Sequence, residues 1–267
     1  MEIRVGGSPD QEDLIFTDLK PPALAEQMTR MGTPVCAETV ANWLAEAGVR
    51  LRKISKTVVG GESVDRERQF NHIADLVARY EAEGNPWFSI DTKAKEFLGR
   101  LYRKGRSYNS APFEAFDHDF PSWADGVVIP HGIYDPRLNI GHINLGLSRD
   151  TSEFACKSFG NFWQRLGKRR YPDAESILLT CDCGGSNPAG KYLFKWDLQQ
   201  LVNRIGLPIR IAHFPSYCSK YNPIERRFFP HVGRACEGML FYSLERVVEL
   251  MRRTATRSGL RTTVHVM

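Results

Sequence analysis

The sharpest constraint on this chain's fold is a change of rhythm at residue 87. Before it, apolar residues recur at helical spacing. After it, apolar runs of strand length alternate with helical stretches. The runs are Trp87-Phe-Ser-Ile-Asp91, Gly126-Val-Val-Ile-Pro130, Gly141-His-Ile-Asn-Leu-Gly-Leu147, Ile177-Leu-Leu-Thr-Cys-Asp182 and Pro208-Ile-Arg-Ile-Ala-His-Phe214. Between and after them, helices fit 150–166, 191–205, 223–236 and 243–254. Phe154, Phe159, Phe162 and Trp163 give the first an inward face, and Leu198, Leu201, Val202 and Ile205 give the second a stripe. Trp163, Trp196 and the phenylalanines are expected in the core. Neighbouring strands followed by strand–helix alternation predict an α/β fold, a mixed sheet with helices on both faces.

The segment before residue 87 divides into three. Residues 1–20 read as an irregular lead-in. Residues 21–60 read as a small all-α helix-turn-helix region. Its first helix opens on Pro21-Pro22, and its second carries Val40, Trp43 and Leu44 before Gly48. The cations Arg50, Arg52 and Lys53 follow. Placed on DNA, the second helix would enter a major groove while these cations hold phosphates. A plain helical hairpin with a solvated charge run fits equally well. Residues 61–86 read as a helical connector with Ile73, Leu76, Val77 and Tyr80 on one face, and 87–260 as the α/β domain.

Composition narrows the function classes. A net charge of +5 suits a polyanionic partner without demanding one. From Cys218 onward nine Lys/Arg stand against four Asp/Glu, so that end is the more basic. No apolar run reaches the roughly 18 residues of a membrane span, and the first residues lack a signal-peptide core, so a cytoplasmic, nucleoid-associated protein is expected. The six cysteines form no Cys-x-x-Cys pair and are expected as free thiols.

Three acids carry the chemical signal. Asp91 and Asp182 end strand-like runs, and Glu225 lies at a helix start. Converging on one sheet edge, they would offer the hard oxygen ligands that paired Mg²⁺ ions need. Each has a bland alternative. The aspartates suit turns, and Asn222-Pro223-Ile224-Glu225 suits a capping box. Singly, those alternatives are the stronger.

Taken in order, the motifs say more. Ser89-Ile90-Asp91-Thr92-Lys93, then Asp182-Cys183-Gly184-Gly185-Ser186-Asn187, then Ser219-Lys220-Tyr221-Asn222-Pro223-Ile224-Glu225 resemble the DDE transposases of bacterial insertion sequences. More narrowly they resemble the Rhodopirellula-type family, whose second acidic motif reads Asp-Gly-Gly-Gly-Ser-Asn. His131-Gly132-Ile133-Tyr134-Asp135 and the stretch 254–260 add to the likeness, which spans about Leu24 to Leu260. The resemblance implies a ribonuclease-H-like core behind a helix-turn-helix. It implies that Asp91, Asp182 and Glu225 are catalytic and hold two Mg²⁺ or Mn²⁺ ions. It implies double-stranded DNA as partner, at element ends and target, and a possible homo-oligomer.

The expected reaction is strand cleavage followed by transfer of the freed 3′-hydroxyl. Lys93, Lys220 and Arg226 are candidate phosphate contacts, and His213 a candidate accessory group or a satisfied strand histidine. The sequence departs from the family at Cys183, where a glycine is usual, and the chain is expected to be shortened at both ends. An inactive DNA-binding remnant and a nuclease that cuts without joining are therefore the rival expectations.

Overall fold

The computed structural model describes residues 5–8, 11–52, 65–184, 186–188 and 190–267. The chain forms two compact units, Met1–Val58 and Val59–Met267.

The first unit opens with antiparallel strands β1 (Val5–Ser8) and β2 (Gln11–Thr17), Val5 opposite Thr17. The expected irregular lead-in is thus corrected. The run Leu14-Ile-Phe-Thr17 has strand propensity that Gly6-Gly7 and the flanking polar residues obscure. Two helices follow, α1 (Pro21–Arg30) and α2 (Ala37–Glu46). The turn between them closes through the Thr33 N–H on the Met28 carbonyl at 2.9 Å, with Gly32 at φ 95°. Cys36 caps α2, its sulfur accepting from the Thr39 N–H. Val40 is buried, whereas Trp43, expected on the same apolar face, stands exposed, as does Met31. Met31 lies beyond the last turn of its helix.

The second unit is built on a seven-stranded sheet. Its strands are β3 (Trp87–Thr92), β4 (Glu96–Leu98), β5 (Gly126–Asp135), β6 (Ile140–Gly146), β7 (Ile177–Cys181), β8 (Ile209–His213) and β9 (Arg261–Val266). The order is β8-β7-β3-β5-β6-β9, with β4 paired to β5. β3 is parallel to β7 and antiparallel to β5. The sheet is mixed, as expected.

Alternation along the strands sorts the two faces. Phe88, Ile90, Ile177 and Leu179 point to one side. There they meet α4 (Ser152–Phe162), its continuation as a π turn (Trp163–Gly167) and α5 (Lys168–Arg170), and α6 (Tyr192–Ile205). The Phe88 ring is ringed by Phe159, Phe162, Trp163 and Tyr171 at centroid distances of 5.2–6.4 Å, all edge-on. Thr151 starts α4 by accepting from the Phe154 N–H at 3.1 Å, and Gly206 at φ 77° ends α6.

The opposite face is covered by α3 (Arg66–Ala82), α7 (Pro223–Arg227), α8 (Phe229–Ala235) and α9 (Leu244–Arg252). Three readings change here. The connector helix α3 belongs to the core: Ile73, Leu76 and Tyr80 pack on Leu178, Ala212 and Phe214. The single helix expected over 223–236 is broken at Phe228, because Pro230 suits a new first turn and cannot continue the old one. The domain does not stop at 260, since β9 pairs in parallel with β6 from Ile140↔Arg261 to Leu145↔Val266. Between β4, which ends at Leu98, and β5, Pro121–Trp123 form one 3₁₀ turn.

Candidate active site

β3 and β7 run side by side in the same direction, with Ser89 level with Thr180. Carrying that register two residues further brings Asp91 level with Asp182, just past the end of β7. Parallel neighbours thus deliver two carboxylates to one edge of the sheet, where open α/β sheets place ligand sites.

Glu225 arrives by a long-range clamp. The Ser89 hydroxyl donates to Asn222 Oδ1 and accepts the Ile224 N–H at 2.9 Å. Asn222 Nδ2 donates to the Ile90 carbonyl at 3.3 Å. Ser89, Asn222 and Ile224 are fully buried. The capping-box alternative is therefore corrected: α7 has no side-chain cap, and Asn222 spends its amide on β3. Glu225 is left free of that local duty. Gly132, opposite Asp91 in β5, permits the approach, because a Cβ there would lie 2.5 Å from the Phe229 ring and 2.8 Å from Ile224.

The three carboxylates interact. Burial first, then the charge of Asp182 and that of Glu225, which is also in hydrogen-bonding reach, together push the Asp91 carboxyl up to about 8. The Thr92 N–H, 2.7 Å from Asp91 Oδ1, pulls the other way and loses. We assign the extra proton to the trio, since close carboxylates titrate together. Asp182 Oδ1 accepts from the Gly184 N–H at 3.0 Å. Among the described residues no group of three or more His, Cys, Asp or Glu side chains is arranged, as it stands, to hold a metal ion. The donor set nonetheless fits a hard divalent cation. These are oxygen ligands that repel one another in a half-buried setting, and a cation would replace the shared proton.

A second group of side chains braces the first. The Thr92 hydroxyl donates to Asp150 Oδ1 at 3.0 Å and lies 3.3 Å from the Ser186 hydroxyl, linking β3, the start of α4 and the Asp182 turn. His213 is a satisfied strand histidine: its Nε2 meets the Asn187 carbonyl at 3.0 Å, and burial lowers its pKa. Cys183 does not take a positive φ, so a cysteine fits where the family has glycine, and its thiol faces the Phe214 carbonyl. Gly185 lies outside the described residues. Sequence reasoning missed Ser89, Asn222, Thr92 and Asp150. Ser89 and Asn222 stood inside the quoted motifs, but Asp150 had no signal of its own.

The candidate phosphate contacts separate. Lys93 is largely covered and bound to Glu96 at 2.5 Å, which also holds Arg103. Lys220 and Arg226 are exposed on either side of Glu225, Lys220 lying 5.2 Å over the Tyr221 ring. Arg50 and Arg52 are exposed in the first unit, and Lys53 lies outside the described residues.

Solved structures similar to this chain include complexes of the Mos1 transposase. The chain is similar to the Mos1 transposase paired-end complex with the left transposon end, at 19% identity and TM-score 0.52. It is similar to the mariner Mos1 paired-end complexes with Mg, at 18% and 0.52, and with Mn, at 17% and 0.51. In each case 86% of this chain is covered, and it spans 65% of the Mos1 chain. At this identity the likeness establishes the ribonuclease-H-like fold. No curated protein matches the chain. The family model described as the Rhodopirellula transposase DDE domain matches residues 1–267, and the chain therefore belongs to that family of DDE transposases.

Proposed function

We propose that this chain is a metal-dependent DNA transposase that nicks DNA at the ends of an insertion sequence and joins the freed 3′-hydroxyl to target DNA. One observation carries the reading. Asp91 and Asp182 end two parallel strands at one edge of the sheet, and the clamped helix brings Glu225 near enough for its carboxyl to interact with that of Asp91. The carboxylates would hold two Mg²⁺ or Mn²⁺ ions. The bound ions would activate the attacking oxygen and stabilise the leaving one in an in-line displacement at phosphorus.

The chain's own residues supply position and charge. The Ser89–Asn222 clamp fixes the Glu225 carboxylate relative to Asp91. The N–H groups of Thr92 and Gly184 orient the two aspartates. Lys220 and Arg226 would hold phosphates beside the reacting strand, and Arg50 and Arg52 would contact the duplex backbone. Lys93 serves better as a brace, through Glu96, than as a phosphate ligand. Catalysis on paired ends would engage a homo-oligomer.

The deciding experiment incubates end-labelled element DNA with the protein and Mg²⁺ or Mn²⁺. Nicks and joined products that disappear with Asp182→Asn support the proposal. Nicks without joining would reduce it to a nuclease, and salt-sensitive binding without nicks would leave a DNA-binding protein.

A further inference from the structure

The first turns of α6 carry an aromatic face that the core does not use. Tyr192, Leu193 and Trp196 are 88%, 66% and 64% exposed. Their i, i+1, i+4 spacing puts them on one side of the helix. Phe194, on the other side, is buried against the His213 ring at 6.2 Å. Trp196, expected in the core, is thereby corrected: it lies off the Leu198–Leu201–Ile205 stripe.

Lysines flank the exposed rings of this face. Lys191 and Lys195 are exposed beside it, Lys195 Nζ lying 5.8 Å over the Tyr192 ring. The first turn of α6 holds no acid. Asp197, which lines a notch together with Trp196, accepts from the Ser152 hydroxyl at 2.5 Å. The notch, of about 240 Å³, opens between α4 and α6, with Lys157 and Arg204 in its wall. Glu153, also in that wall, is paired with Lys157 at 2.5 Å.

The helix that carries this face is tied to the surroundings of the acidic site through its other side. Phe194 packs on His213, whose Nε2 meets the Asn187 carbonyl in the turn that follows Asp182. Asp197 is held by Ser152 in the first turn of α4, two residues beyond the Asp150 that receives the Thr92 hydroxyl.

Exposed rings flanked by exposed lysines suit one partner chemistry. Unstacked nucleobases take the rings, and phosphates take the ammonium groups. We propose that Tyr192 and Trp196, with Lys191 and Lys195, form a stacking platform for unpaired nucleotides of the DNA strand beside the acidic site. The inference rests on the DNA-transposase reading and adds which part of the DNA the helix receives.

The experiment uses the full chain in EDTA. It compares a blunt duplex with the same duplex carrying a short 3′ overhang that contains 2-aminopurine. The wild type should bind the overhang roughly tenfold more tightly than the blunt end and should quench the 2-aminopurine. Tyr192→Ala/Trp196→Ala should erase both differences while keeping blunt-end affinity and Tm. Trp196→Phe should keep the quench. Lys191→Ala/Lys195→Ala should weaken both DNAs and flatten the salt dependence.

Equal overhang binding by wild type and the double alanine variant would overturn the proposal. So would a double variant that changes only the sedimentation of the protein, since the face would then belong to a second copy. Nicking in Mg²⁺, run in parallel, separates the two claims. Overhang preference without nicking sinks the catalytic reading alone, and nicking without overhang preference sinks the platform alone.

Discussion

Replacing Asp91 by asparagine should make the metal-free protein more stable. The amide keeps the acceptor for the Thr92 N–H and removes a charge that burial and two neighbouring carboxylates disfavour. The sign follows from linkage. The folded carboxyl group holds its proton up to about 8, whereas an unfolded aspartate releases it near 3.8. Between those values the native state binds more protons than the unfolded one, so the wild type loses stability as pH rises. At about 1.4 kcal/mol per pKa unit, the cumulative penalty at pH 7 is at most about 4 kcal/mol. Relaxation and water entry reduce that to about 2–3 kcal/mol, or a gain of roughly 5–10 °C in Tm for the variant.

The assay is urea unfolding of both proteins from pH 4 to 8 in EDTA, repeated in Mg²⁺. The two curves should converge near pH 4 and separate steadily toward pH 8. Mg²⁺ should then stabilise the wild type and leave the variant nearly unmoved. Because every other titrating group is common to both proteins, the difference reports Asp91 and its partners alone. A pH-independent difference, or a variant less stable than wild type at pH 8 in EDTA, would refute the argument that the carboxylates converge.

Other expectations follow from the same geometry. Asn222→Ala should cost about 2–3 kcal/mol by stranding the buried Ser89 hydroxyl, and a Ser89→Ala/Asn222→Ala cycle should show coupling above about 0.5 kcal/mol in denaturant unfolding. Gly132→Ala should cost about 1–3 kcal/mol and reduce nicking more than duplex binding, because the added methyl displaces α7 and with it Glu225. Burial lowers His131 to about 3 and His142 to about 4, so both imidazoles stay neutral in the fold. Their contribution is present above about pH 6.5 and is lost as pH falls through the folded values, about 3 kcal/mol for His142 alone. NMR titration should show both rings silent between pH 7 and 5.

Most of the sheet was legible in the sequence because buried strands are short apolar runs bounded by turn residues, as at Trp87–Asp91 and Ile177–Asp182. β9 was not, because Arg261-Thr-Thr-Val-His-Val266 opens on three polar residues and has only two apolar ones, and it becomes a strand through its parallel pairing with β6. The membership of α3 in the core was equally hidden. Its polar face looks like that of a free connector until Leu178 and Phe214 meet the other side. The aspartates could be named from their position at strand ends, but sequence alone left a turn role for each.

Glu225 shows why the site itself was harder than the fold. Asn-Pro-Ile-Glu contains every group a capping box needs, and a local reading has no means to prefer anything else. The preference is set by Ser89, 133 residues away, whose buried hydroxyl takes the Asn222 amide oxygen and the Ile224 N–H together. A buried hydroxyl left unpaired costs about 1–3 kcal/mol, more than the roughly 1 kcal/mol a cap returns. The long-range pairing therefore wins over the local one. The outcome is an acid released from structural work and held against two others, a state costly without a counter-charge and suited to receiving one.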